Sequence, residues 1–183
     1  MPSKYVIGDH QAPHFITFST VQWIDALSRP EIKHLILDSF RYCQAEKGLI
    51  LYAYVIMSNH VHIIAAAAES FILSDILRDL KKFTSKAIFH EIKENPMESR
   101  KKWMIWLFES NGKRNINNKY FQVWQQKNHP IELSNNYLMD QKLEYLHNNP
   151  VKAGLVYEPE HYVFSSAIDY AGGRGLIPID FLE

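Results

Sequence analysis

The stretch Tyr54-Val55-Ile56-Met57-Ser58-Asn59-His60-Val61-His62-Ile63-Ile64 limits the fold more than any other part of the chain. Val, Ile and Tyr crowd both of its halves, and such side chains fit a pleated surface. Ser58-Asn59 interrupts the run, so it reads as two strands joined by a short hairpin. Alternation along a strand puts His60 and His62 on one face, two positions apart. Two neutral imidazoles on a rigid strand supply half of a metal site. Two buried or solvated histidines in a sheet are the plainer reading, and the pair alone does not decide between them.

The rest of the chain supplies the partners of that hairpin. His14 to Val21 alternates and reads as a strand. Ser28 and Glu31 have capping-box spacing, and Pro30 suits a first helical turn. Ile32, Leu35, Ile36, Phe40 and Cys43 then recur at helical spacing, and Gly48 is a natural stop. Leu49 to Met57 is apolar on both faces, which predicts a central strand. His60 to Ala67 returns antiparallel to it. A second helix is predicted from Ser74 to Ile92, with Ile76, Leu80, Phe83 and Ala87 on its apolar stripe.

Residues 95–119 are polar, basic and turn-rich and read as a largely irregular insertion, with a short helix at Lys101 to Glu109. Tyr120 to Gln126 is predicted as the fourth strand. A third helix starts at Ser134-Asn135-Asn136 and runs to Asn148, with Met139, Leu143 and Leu146 toward the core. Pro150 ends it. The order β-α-β-β-α-(insertion)-β-α describes one α+β domain over residues 1–183. Its expected form is a ferredoxin-like antiparallel sheet of four to five strands with helices packed mainly on one face.

Composition narrows the function classes. The chain of 183 residues carries no formal net charge, which argues against strong non-specific binding to nucleic acid. Its positive charge is nevertheless gathered between residues 78 and 127: Lys81, Lys82 and Lys86, then Arg100, Lys101 and Lys102, then Lys113, Arg114 and Lys119. A local basic groove and a solvated face both fit that pattern. The single Cys43 rules out an internal disulfide and a cysteine-rich zinc ribbon. No signal-like leader or membrane-length apolar run is present, so the expectation is a cytoplasmic protein with no membrane partner.

A second constellation lies on the third helix. Tyr145 and Asn149 are four apart, so they share a stripe beside the core face. A tyrosine there is ordinarily a packing residue with its hydroxyl in water. The functional alternative is a nucleophile that attacks phosphorus, with Asn149 offering a carbonyl oxygen to a hard cation.

Three blocks together resemble the HUH single-tyrosine transposases, most closely the REP-associated tyrosine transposases and their insertion-sequence relatives. They are Met57-Ser58-Asn59-His60-Val61-His62, Tyr145 through the Asn-Pro-Val-Lys-Ala-Gly-Leu run to Val156, and Tyr162-Val163-Phe164-Ser165-Ser166. The resemblance spans roughly residues 12–170. Ser58 stands where the family commonly has proline, and Phe164 where it often has Trp or Tyr. The 95–119 insertion matches no motif.

The resemblance implies a divalent ion, Mg²⁺ or Mn²⁺, on His60 and His62 with Asn149 as the polar ligand, and Tyr145 as the nucleophile. It implies metal-dependent nicking and strand transfer on single-stranded or hairpin DNA through a covalent 5′-phosphotyrosine, without a nucleotide cofactor. Relatives include monomers and homodimers that share a site. Arg78, Lys81, Lys82, Lys86, Trp124, Gln125 and Gln126 are candidate DNA-binding residues. Two other classes compete: a catalytically idle binder of DNA hairpins, and a His-X-His metal phosphohydrolase. A histidine-triad hydrolase would need a histidine where Ile64 stands.

Overall fold

The computed structural model describes residues 7–115 and 120–182. Four strands form one antiparallel sheet: β1 (His14–Ser19), β2 (Leu49–Ile56), β3 (His60–Ala67) and β4 (Ile131–Glu132). Their order is β2-β3-β1-β4. Each strand-to-strand crossover skips a neighbour, and that split arrangement is the ferredoxin-like topology. The two middle strands are β3 and β1, so the His60-Val61-His62 run lies at the centre of the sheet.

Alternation along the strands builds two cores. Ile16 and Phe18 of β1 with Val61, Ile63 and Ala65 of β3 face one side, where helices α1 (Pro30–Glu46) and α2 (Leu73–Glu94) cover them. Phe15, Val55 and Ile64 face the other side, where α4 (Asn136–His147) lies across them with Leu146 fully buried. Burying such a leucine is worth about 2 kcal/mol, and it sets the height of Tyr145, one residue earlier, over the sheet. A register shift in β2 between Leu51 and Ala53 puts Leu51 and Tyr54 on the same side.

Several expectations need correcting. Strand β2 is an edge, not a centre. Its apolar character on both faces reflects helices above and below it, and its outer backbone is paired with irregular chain. Ile56 N–H donates to Phe164 O (2.9 Å), Ser166 N–H to Tyr54 O (3.0 Å) and Asp180 N–H to Leu51 O (2.9 Å). Tyr120 to Gln126 is not a regular strand. It touches the end of β1 through a single bridge, Thr20 to Trp124, and the regular pairing comes later, at β4. The capping box does not form either. Ser28 Oγ donates to Asp25 O (2.9 Å), and Arg29 is the residue that precedes α1. Helix α1 ends before Gly48, whose φ of +68° is left-handed and where a Cβ would collide with the Phe71 ring.

The 95–119 segment is less irregular than its composition predicts. Helix α3 (Lys101–Lys113) buries Met104, Leu107 and Phe108 in the larger core. Gly112 lets the returning chain pass close, since a Cβ there would lie 2.5 Å from the Phe121 Cα. Lys119 falls outside the described residues. Glu98 ties the segment to α1: it is 3% exposed, and accepts from Arg29 Nε at 2.8 Å and Arg100 Nε at 3.1 Å. Burial pushes its carboxyl up, but the Arg100 and Arg29 guanidiniums and the Arg100 N–H outweigh it and hold the group down at about 2. Glu98→Gln should cost about 1–3 kcal/mol at pH 7 by leaving those donors poorly matched. The folded-state value lies below the unfolded one, so this contribution is complete above the ordinary carboxyl range and fades as the pH falls toward 2. Melting curves of the two proteins should therefore differ at pH 7 and converge in acid; coincident curves at pH 7 would contradict the assignment.

Among the described residues no helix is long and apolar enough to cross a membrane.

Candidate active site

The hairpin that carries the histidines is held from outside as well as within. Met57 N–H donates to His60 O (2.9 Å), and the turn carbonyls of Ser58 and Asn59 accept from Leu27 N–H (2.7 Å) and Thr20 N–H (2.9 Å). His62 pairs directly with Thr17, and His60 with Ser19, across β3 and β1. The two imidazoles share one face, ring centroids 4.7 Å apart.

Each ring is fixed by its Nδ1. That of His62 shares a hydrogen bond with Thr17 Oγ1 (2.8 Å), and its ring stacks on Phe15 at 5.0 Å. That of His60 donates to Asn59 Oδ1 (2.7 Å). Second partners of this kind set the tautomer of a ligating histidine. Burial drives both rings toward the neutral form. His62 is pushed down to about 3 by burial and by the charges of His60 and Lys142, and His60 is lowered by burial against the opposing effect of Asn149.

Helix α4 brings the remaining groups. The Tyr145 ring lies 5.5 Å from that of His62 and 5.9 Å from that of Phe15, and the residue is 42% exposed. Asn149 is not on the same helix. Pro150 has no N–H to continue the ladder, so α4 stops at His147 and a short α5 (Asn149–Lys152) begins with Asn149. The break still leaves Asn149 Oδ1 3.3 Å from His60 Nε2. Because His60 donates through Nδ1, its neutral ring turns a bare Nε2 toward a carbonyl oxygen. Two acceptors facing one another are relieved by a cation between them, and cis ligands at about 2.1 Å from one ion sit about 3 Å apart. Two imidazoles and an amide oxygen form a mixed nitrogen and oxygen donor set that could hold a divalent ion. Among the described residues no group of three His, Cys, Asp or Glu side chains converges as a closed site would need.

Sequence reasoning missed six neighbours. Phe15 and Thr17 were legible as the face of β1 opposite Ile16 and Phe18. Asn59 belongs to the hairpin turn and to the block that carries the resemblance, but its bond to His60 has no signal in the sequence. Lys142 and Lys152 bring ammonium groups 5.7 and 5.1 Å from the Tyr145 ring centroid; they stand one turn before and two turns after it in sequence. Trp23, in a turn after β1, sets its ring 5.9 Å from His60.

Two other titratable side chains near the sheet are committed elsewhere. Tyr162 is buried, donates to Ile56 O (2.8 Å) and accepts from Lys33 Nζ (2.8 Å). Burial lifts its phenol to about 12. His147 is buried on the far side of α4, bonded to Ser166 Oγ (2.9 Å) and pushed down to about 4 by burial.

The candidate DNA-binding residues line one groove of about 670 Å³ between α2 and residues 120–128: Arg78, Lys81, Lys82, Lys86, Trp124, Gln125 and Gln126. They are not equivalent. Lys81 turns inward, donating to Gln125 O and Asn128 Oδ1 (both 2.6 Å), and burial lowers it to about 8. Arg78 is paired with Asp75 and Asp79. Trp124 is corrected from a stacking candidate to a wall: it is 5% exposed, with its indole N–H on Thr84 Oγ1 (2.9 Å). Lys82 and Lys86 remain exposed. Gln125 donates to Ser19 O and Thr20 O, so the groove ends beside the strand residue that pairs with His60.

Comparison with known proteins completes the picture. A family model described as IS200-like transposase matches residues 16–141. Among solved structures, a REP-associated tyrosine transposase bound to a REP hairpin aligns with a TM-score of 0.63 at 19% identity, over 100% of this chain and 92% of that one. A protein from Deinococcus radiodurans R1, named only provisionally as a transposase, aligns at 0.46 and 16% identity, over 81% and 95%. No curated protein matches in sequence.

Proposed function

Because the chain belongs to the IS200-like transposase family, we propose that it nicks single-stranded DNA and transfers the strand through a covalent 5′-phosphotyrosine on Tyr145. The observation that carries this is convergence. His60 and His62 from β3, Tyr145 from α4 and Asn149 from α5 meet on one face of the sheet.

A divalent ion held by His60, His62 and Asn149 would supply Lewis-acid polarisation of a non-bridging oxygen of the scissile phosphate. The chain's own groups do the rest. Phe15 packs against the Tyr145 ring, and the residue is partly open to solvent, as attack by its hydroxyl would need. Lys142 and Lys152, whose ammonium groups lie beside the Tyr145 ring, would attract the phosphodiester. The phenolic oxygen forms a bond to phosphorus, the P–O3′ bond breaks, and the phenolic proton ends on the departing 3′ oxygen. The ester retains the bond energy, so attack by another 3′-hydroxyl reverses the step and rejoins strands. Exposed Lys82 and Lys86 in the adjoining groove would follow the strand's phosphates.

The intact donor and nucleophile set weighs against an idle binder, and the lack of a third histidine on β3 against a histidine-triad hydrolase. The structural neighbour's REP hairpin makes hairpins with single-stranded extensions the substrates to try first. Labelled hairpin DNA with Mg²⁺ should yield a denaturant-resistant protein–DNA band that excess chelator prevents. Binding should weaken with salt and favour hairpin over blunt duplex. A band that survives chelation would refute the metal's role, and its absence on every single strand tried would refute the reaction.

A further inference from the structure

Trp23 is placed at a cost that its contribution to folding does not explain. It is 55% exposed, whereas its neighbours Val21 and Ile24 are buried. Its φ is +56°, and that of Gln22 before it is +53°. Two successive side chains in the left-handed region are rare, and such strain gathers at functional sites.

The turn is nevertheless held firmly. The single Thr20 hydroxyl proton is shared between Ile24 O (2.8 Å from Oγ1) and Asn59 O (3.0 Å). Asn59 Nδ2 donates to Trp23 O (3.2 Å), while its Oδ1 receives the proton of His60 Nδ1. One amide therefore fixes both the indole-bearing turn and the histidine. The result is an exposed indole, 5.9 Å from the His60 ring and at 68° to it. An indole serving the core would lie inside it, as Trp124 does.

We propose that Trp23 is the surface on which a base flanking the scissile phosphate stacks; this assignment rests on the strand-transfer reading above. An unpaired base offers a π-face whatever its identity, so the indole would fix the position of the strand rather than read its sequence. A phosphate beside His60 brings its neighbouring base within reach of the ring.

Single strands captured covalently by the wild-type protein from a randomised pool provide the probe. 2-Aminopurine is placed in turn at each position flanking the mapped cut, and its emission is read in the Tyr145→Phe background, where the complex stays uncut. One flanking position should be quenched. Trp23→Gly should abolish that quenching and weaken binding roughly 5- to 150-fold, the range for one base–aromatic stack. Trp23→Phe should retain part of both. Glycine tolerates the left-handed turn, so Trp23→Gly should melt no lower than its parent. Quenching that survives Trp23→Gly, or disappears only together with a fall in melting temperature, overturns the role of Trp23. Failure to capture any strand on Tyr145 instead overturns the strand-transfer reading beneath it.

Discussion

Tyr145→Phe should form no covalent adduct, a loss of at least roughly a thousandfold, as for removal of a nucleophile elsewhere. It should bind hairpin DNA as the wild type does. The substitution deletes one hydroxyl from a residue that is 42% exposed, so stability should change by no more than about 0.5 kcal/mol. Tyr162→Phe makes the opposite pattern. Its hydroxyl joins Lys33 Nζ to Ile56 O inside the protein, and its loss should cost about 1–3 kcal/mol while the adduct still forms below the melting temperature. Peptide mapping of the adduct decides between them, and a phosphorylated peptide lacking Tyr145 would overturn the assignment.

The second large effect is expected at His60. His60→Ala should reduce adduct formation by more than roughly a hundredfold, since partners one shell further out already cost 10- to 100-fold in comparable sites. DNA affinity should change little, because the groove lysines are untouched. Mn²⁺ binding measured by calorimetry or electron paramagnetic resonance should weaken in parallel. A variant that cleaves normally, or that loses DNA binding and cleavage together, would show that the ring does not serve as a ligand.

The gathering of the candidate residues was more legible in the sequence than parts of the fold around them. Two histidines separated by one residue on a strand must share a face, and Tyr145 and Asn149 each reach that pair even across the break that Pro150 imposes. Pairing partners were not legible. Phe121 and Val123 have the periodicity of a strand, but periodicity does not say where a ladder forms, and the regular pairs fall on Ile131 and Glu132. The helix expected at Lys101 to Glu109 does form, but it runs on to Lys113, and its burial in the core was not legible because Met104, Leu107 and Phe108 stand among lysines and polar residues whose composition signals a loop. Trp23 was invisible for a different reason: nothing in a sequence announces a left-handed backbone at a non-glycine residue. The side chains of Arg78, Lys81, Lys82 and Lys86 looked alike as charges, and only burial distinguishes the inward Lys81 from the rest.

The outer edge of β2 has a consequence for the protein's life before it is complete. That strand's hydrogen-bonding groups are satisfied by Phe164, Ser166 and Asp180, all more than a hundred residues downstream in synthesis. A nascent chain that has already assembled β1, β2 and β3 therefore carries an apolar strand with bare amides and carbonyls, the kind of edge on which other chains add as extra strands. The polypeptide guards itself against such association only when residues 164–180 emerge and dock. A frameshift or proteolytic nick shortly after Val156 would leave Tyr145, both histidines and Asn149 in place, yet make a molecule prone to stick to its own copies.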